Sequence, residues 1–452
     1  MRKVIGEPLT PELLDRIEKW VEDRLGELGH ACPKIRSQAN SETGEVVVRV
    51  ETGSVQTFLG VTEEPIRGTN PGVLQRYNAF QLGQVFDSSL LTVTENRVTQ
   101  SRIVQSTYLS SHCIEDGVYL HHNLIPGPPR LITTGFGVNT EGLLLGRATW
   151  RNTRLGSQGS LIDVTAYASA RRQSLSTTLN WYFQEEVSRL FLSPQAAIIH
   201  RNEQQFEDIS ANAKIGPATT VEYTKLGMSI FAGPAVEFFR TLRGSGAGTS
   251  RLVSLETRMG LQNHGYERYL NDPRTGYSVN LITNFNGRRL LSDVTAQRLN
   301  LRGEFLWNWR ELDPPLWIFG VRTGVSAVLT DSSRSDIPAS LLQYLGGSAN
   351  IRGFGRLELP VDAGGGGLTS TYLGVEARLS NTLPYGLDPF VFFDVGAIGL
   401  ESAQLNSPLY WSPGIGLRWA SPVGPLRTTL AHGFSGSTPE HLQFYLSLGE
   451  EF

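Results

Sequence analysis

The sequence predicts a mainly β protein in which small α+β modules precede a C-terminal transmembrane β-barrel of about 16 strands. Three observations carry that expectation. The 452 residues contain no run of about 18 or more apolar residues, which excludes a membrane-spanning helix. The chain breaks at Pro126, Gly127, Pro128, Pro129 and Arg130, because three prolines in four residues continue neither a helix nor a central strand. From Leu131 onward apolar and polar residues alternate between polar or Gly-rich breaks. The roughly 320 residues that follow, at about 20 per strand and connection, accommodate about 16 strands.

Composition permits this. Gly is abundant at 48 and charged residues are few at 18%. A mean hydropathy of −0.17 says nothing about membranes, since alternation dilutes the apolar residues of a barrel. The formal charge of −3 argues against a nucleic-acid partner.

The first module, residues 1–52, opens on a helix. Thr10 is its N-cap, Pro11 sits in the first turn and Glu12 complements the helix dipole. Leu13, Ile17, Trp20, Val21, Leu25 and Leu28 recur mostly three and four apart, so one face is apolar, and Gly29 ends the helix. Val46, Val48 and Val50 alternate as a half-buried strand does. No apolar signal segment follows Met1, which taken literally places the chain in the cytoplasm; the module begins in mid-fold, so Met1 reads as a start within a longer frame.

The second module, residues 53–129, repeats the order more fully. An extended segment from Val55 to Val61 leads to an expected helix over Val73 to Phe86, and Asp87, Ser88 and Ser89 recap the chain. Leu91, Val98 and Tyr108 share a helical face, with Thr94, Ser101 and Gln105 between them. Strands are expected around Cys113 and from Val118 to Ile125.

Residues 130–452 form the barrel. Ile162, Val164 and Ala166 take one face of a strand and Asp163, Thr165 and Tyr167 the other. Phe305, Trp307 and Trp309 alternate with Glu304, Asn308 and Arg310; a turn through Asp313 then leads into Trp317, Phe319 and Val321. Apolar groups toward lipid and charges toward a wet lumen would explain this. A soluble sandwich has the same period, so alternation alone leaves both open.

The motifs are more specific. In Gly346-Gly347-Ser348-Ala349-Asn350-Ile351-Arg352-Gly353-Phe354-Gly355 a lone arginine stands among glycines, and Phe392-Phe393-Asp394-Val395-Gly396 places a carboxylate on a later strand. A buried arginine costs several kcal/mol unless an anion meets it, and Asp offers bidentate geometry. From spacing alone, a surface Gly-rich turn and an unrelated strand Asp read equally well. Further along stand Gly414-Ile415-Gly416-Leu417-Arg418-Trp419, Val423-Gly424-Pro425-Leu426-Arg427 and a terminal Leu446-Ser447-Leu448-Gly449-Glu450-Glu451-Phe452; upstream is Asp272-Pro273-Arg274-Thr275-Gly276.

In this order the motifs resemble the BamA/TamA superfamily of outer-membrane assembly factors, with TamA the nearest branch. The resemblance covers nearly the whole chain and implies a 16-stranded barrel in the outer membrane, preceded by POTRA domains in the periplasm. It implies that the loop carrying Arg352, Gly353 and Phe354 folds into the lumen, where Arg352 meets Asp394, with Glu376 a second acceptor. These residues are expected to lock the loop structurally and to carry no bond-breaking chemistry. The working part is expected at a lateral seam between a first strand near Leu131 to Asn139 and a last strand near His441 to Phe452. Gly135 and Gly137 weaken the first strand, and Phe452 resembles the aromatic-ended insertion signal of barrel proteins. The implied partners are unfolded outer-membrane protein clients, membrane lipids and a TamB-like inner-membrane-anchored protein reached through the POTRA domains. A two-partner-secretion translocation pore is the alternative, although such pores usually carry an N-terminal plug helix that is not seen here.

Cys32 and Cys113 are the only cysteines. In an oxidising periplasm they are a candidate disulfide between modules; equivalent positions in consecutive modules can also lie too far apart, so the pairing stays open. His112, Cys113, His121 and His122 read as surface groups of a module more readily than as a zinc site, and no metal or cofactor is expected. There is no Gly-x-Ser-x-Gly elbow, Walker loop or His-Glu-x-x-His. Gly244 to Gly248 and Gly364 to Gly367 lead into no phosphate-reading helix, so an enzyme is not expected.

Overall fold

The computed structural model describes residues 6–115, 117–269, 273–312, 314–360, 365–421 and 424–449. Met1, Asp272, Asp313, Gly364, Val423 and Glu450 to Phe452, named above, lie outside the described residues.

Helix α1 spans Pro11–Glu27, and the Thr10 hydroxyl accepts from Leu13 N at 3.2 Å. Its buried side is narrow: Leu13 and Ile17 are covered, whereas Trp20 and Leu28 stay exposed. It lies beside an antiparallel hairpin of β1 (Lys34–Ala39) and β2 (Val46–Glu51). Gly29, with φ at +101°, turns the chain where a Cβ would strike Val55 and Val85.

The next elements are β3 (Phe58–Glu63), a short 3-10 turn at Val73–Tyr77, α2 (Ser88–Ser101), β4 (Val104–Ile114) and β5 (Gly117–Pro126). The sheet order is β3-β5-β4, with β3 parallel and β4 antiparallel to the central strand. Phe58, Phe80, Phe86, Leu90 and Val93 fill the core between the sheet and α2, and the Phe58 and Phe80 rings stack at 4.2 Å.

The expected helix over Val73 to Phe86 is reduced to Val73–Tyr77. Tertiary partners capture the donors that would continue it: Ala79 N donates to the Thr94 hydroxyl, Gly83 N to Phe58 O and Phe86 N to Gln56 O. The expected helical positions of Gln105 and Tyr108 are also corrected. Arg102 takes φ +60° after Ser101, so both residues fall on β4. Thr94, expected as a polar filler, is fully buried and donates back to Leu90 O.

The rest of the chain closes into an antiparallel barrel of 16 strands, from Arg130–Asn139 to Thr438–Gly449. The fifth and sixth strands are each interrupted, at Phe191–Leu192/Gln195–Asn202 and Glu207–Lys214/Pro217–Tyr223, and the unbroken Leu226–Arg243 pairs along both halves of the sixth. Trp317, Phe319 and Val321 point outward on the eleventh strand, while Ile318 faces in and is 2% exposed. Trp309 ends in a 3-10 turn, where its ring packs on Trp307 and Phe319. The modules hang from one end of the barrel. From the other end a long connection, described over residues 330–360 and 365–368, enters the lumen.

Cys32 and Cys113 are joined, with Cα atoms 6.4 Å apart. The two positions are not equivalent: Cys32 follows α1 directly, whereas Cys113 lies near the far end of β4.

Candidate functional site

The connection 330–368 has a core of its own. Leu345, Ile351, Phe354 and Leu359 are buried against Ile398 and Tyr410 of the barrel wall. Glycine makes the approach feasible: a Cβ on Gly353 would lie 2.5 Å from Ser412 Cβ and 2.6 Å from the Gly433 backbone, and one on Gly396 would meet Ile351. Gly355 serves the loop itself, its N–H donating to Glu358.

This packing carries Arg352 to the wall, where it is 1% exposed. Its Nε donates to Asp394 Oδ2 at 2.7 Å and one terminal nitrogen to Oδ1 at 2.8 Å; the other reaches Glu376 Oε2 at 2.9 Å. The backbone N of Arg352 donates to the same Asp394. The guanidinium lies 3.4 Å from the Phe392 ring centre. Asp394 and Glu376 are brought into register because Gly374, Glu376, Phe392 and Asp394 are cross-strand neighbours on the lumen face. Arg322 also reaches Asp394, at 3.3 Å.

The loop touches both sides of the barrel's closure, through residues that sequence reasoning missed. Ser348 N and Oγ donate to Glu141, in the turn after the first strand, at 3.0 and 2.7 Å. On the last strand Tyr445 donates its hydroxyl to Phe354 O, and His441 meets Glu358 at 3.2 Å. Glu141 and Tyr445 carry no local signal, since each matters only once the barrel has closed.

The closure joins the first and last strands. The first strand pairs with the second through ten residues, from Arg130↔Asn152 to Asn139↔Leu143. Its described pairs with the last strand are Ser447↔Asn139, Leu448↔Val138 and Gly449↔Gly137. Leu446 adds two bonds to Thr140. Gly137 therefore sits in the closure, Gly135 pairs only with Arg147 among the described residues, and Phe452 lies outside them. Phe136 and Ile132 stand 73% and 72% exposed on the outer face.

A second cluster ties the modules to the barrel. Arg97 of α2 donates to Glu267 at 2.6 and 2.7 Å and to Glu222 at 2.6 Å. His264 also meets Glu222, at 2.9 Å, and Gln81 donates to the Glu222 carbonyl. Burial works against the Arg97 charge, but Glu267 and Glu222 outweigh it and raise its pKa above the ordinary arginine value. Arg268 pairs with Glu27 of α1 at 2.7 Å. Arg76 stacks on Tyr182 of the barrel at 3.7 Å.

A closed barrel with a lipid-facing apolar exterior, a charged lumen and α+β modules at one end defines an outer-membrane β-barrel protein. Residues 152–452, more than half of the chain, match the Omp85 superfamily domain, and the chain belongs to that superfamily. Its fold is similar to that of BamA from Haemophilus ducreyi lacking POTRA domains 1–3, at 15% identity and a TM-score of 0.60, covering 98% of this chain and 95% of that one. It is also similar to CdiB from Acinetobacter baumannii (11% identity, TM-score 0.56, 99% and 85% covered) and CdiB from Escherichia coli (12%, 0.56, 98% and 85%).

Proposed function

We propose that this protein is a TamA-like assembly factor that inserts outer-membrane proteins through the seam between its first and last barrel strands. The observation that carries this reading is the offset of the closing strands: the last strand starts at Thr438, while its described pairing with the first strand begins only at Ser447↔Asn139. Thr438 to Tyr445 on the last strand has no partner strand across the seam among the described residues. An exposed edge is normally avoided, and it templates an incoming strand through main-chain hydrogen bonds. Gly135 and Gly137 belong to this seam. Arg352, Gly353, Phe354, Asp394 and Glu376 lock the lumen loop, which clasps both closing strands through Glu141 and Tyr445.

In this reading residues 1–52 and 53–129 are POTRA units in the periplasm, residues 130–452 are the barrel, and the clients are unfolded outer-membrane proteins. A TamB-like inner-membrane-anchored protein would dock on the POTRA side. The second reading, a two-partner-secretion pore, is favoured by a lumen cavity of about 670 Å³ beside the seam.

The test uses the purified chain in liposomes and a urea-denatured small barrel protein whose folding is scored by gel mobility. Asn139→Cys and Ser447→Cys, in a Cys32→Ser/Cys113→Ser background, cross-link the seam. Acceleration of client folding that disappears on cross-linking supports the insertase. Acceleration that survives cross-linking, or steady ion conductance without acceleration, moves the assignment to the pore.

A further inference from the structure

The cavity behind the seam is walled by both closing strands, the lumen loop and the opposite side of the barrel. Arginine dominates it: besides Arg352, the wall carries Arg171, Arg172, Arg302, Arg322, Arg356 and Arg427, against Glu141 as the sole carboxylate among its described lining residues. Glu141 is engaged by Ser348, and Arg356 by Glu203. Asp394, which Arg322 approaches, already accepts three bonds from Arg352. Arg171, Arg172 and Arg302 have no carboxylate partner among the described residues. Positive charge gathered in a partly enclosed site draws an anion.

A second observation is independent of charge. Thr429, 4% exposed, lines the same cavity with its hydroxyl unpartnered. Three unmatched guanidiniums and a hydroxyl supply more donors than the two oxygens of a carboxylate satisfy, and they suit a phosphate.

We propose that this cavity binds a phosphate group, presented as the headgroup of an anionic phospholipid seated in the seam. Val138, Leu446 and Leu448 line the cavity from the two closing strands. Phe136 and Phe444 lie on the same strands, more than half exposed. Together they form an apolar path along which acyl chains reach the bilayer while the phosphate stays inside. The site stands whether or not the seam admits a client strand.

The experiment titrates the full chain in detergent with monomeric short-chain phosphatidate, short-chain phosphatidylcholine and inorganic phosphate, read by calorimetry. Saturable phosphatidate binding, displaced by inorganic phosphate and weakened about tenfold or more by Arg172→Gln/Arg302→Gln, is expected. Thr429→Val should weaken it less, and Arg240→Gln, outside the cavity, not at all. Each variant is first shown to keep its heat-shifted gel mobility, so that loss of binding is not loss of fold. In the seam-cross-linked protein, phosphatidate binding should fall while inorganic phosphate binding persists. Phosphate binding with no phosphatidate binding in the open protein would overturn the lipid assignment. No saturable binding of either, or binding indifferent to Arg172 and Arg302, would overturn the site and leave a solvated cationic wall.

Discussion

Arg352 and Asp394 show how one pair of residues holds a long loop inside a wet barrel. Asp394 is fully buried, so Arg352→Ala leaves a carboxylate with the backbone N–H of residue 352 and, among the described residues, Arg322 as its one cationic partner, at 3.3 Å. That change is expected to cost about 3 kcal/mol, read as a lower temperature for the barrel's gel-mobility shift and faster proteolysis of residues 330–368. Arg352→Lys, which keeps the charge and loses the fork, should fall between. Unchanged melting and proteolysis would remove the lock. Gly353→Ala tests the steric half alone and should cost about 1–3 kcal/mol through its clash with Ser412 and Gly433. His122 sets a pH limit on the second module. It is fully buried with neither ring nitrogen hydrogen-bonded, and burial, with a smaller effect from His121, lowers its pKa from 6.5 to about 4. Between those values the unfolded chain binds the extra proton, so stability is complete above about pH 6.5 and falls as pH drops toward about 4. The loss is about 3 kcal/mol. His122→Leu should flatten that slope in thermal melts; an equal slope would assign the effect elsewhere.

At the scale of elements, the disulfide closes a loop of 81 residues between the turn after α1 and the end of β4. Among the described residues α1 is otherwise held by a narrow buried face, the Glu27–Arg268 pair, the Ser88 hydroxyl on Asp23 O and, to β1, Ser37 on Glu18. Reduction, or Cys32→Ser, should lower stability by about 2–4 kcal/mol and expose α1 to protease before the second module. Simultaneous loss of both would show that the modules unfold as one body. The lumen loop is likewise an element with two ends to hold, Glu141 on one closing strand's turn and Tyr445 on the other strand. Glu141→Gln/Tyr445→Phe should speed bond formation between Asn139→Cys and Ser447→Cys, because a seam less tightly clasped samples more registers. An unaltered rate would separate loop from seam.

For the whole molecule, the modules and barrel are joined by buried charge. Arg97 faces two carboxylates at 2.6–2.7 Å, with Glu222 only 5% exposed. Arg97→Ala leaves Glu267 without an ion-pair partner among the described residues and Glu222 with only Arg189 and His264; it should loosen the second module, raising ion conductance in planar bilayers without changing the barrel's melting. Constant conductance would mean that apolar and cation–π contacts, such as Arg76 on Tyr182, suffice.

The sequence by itself determined the period and number of the strands, and its motif order, through the family resemblance, pointed to the barrel and its lumen loop. Lipid outside and water inside impose a period of two on every strand, and chain length bounds how many strands fit. A single arginine among glycines, followed by Asp on a Gly-rich strand, makes Arg352 and Asp394 legible through the family resemblance, because their spacing alone reads equally well as a surface turn and an unrelated strand Asp. Only the tertiary structure decided the rest. The segment after Tyr77 has helical spacing, yet its donors go to Gln56, Phe58 and Thr94. Cys32 and Cys113 meet only because β4 returns along the sheet to the end of α1. Glu141 lies 207 residues from Ser348, and Arg97 lies 125 from Glu222. Such pairings follow from how the barrel closes and where the modules dock, and no local pattern encodes a neighbour supplied by the far end of the chain.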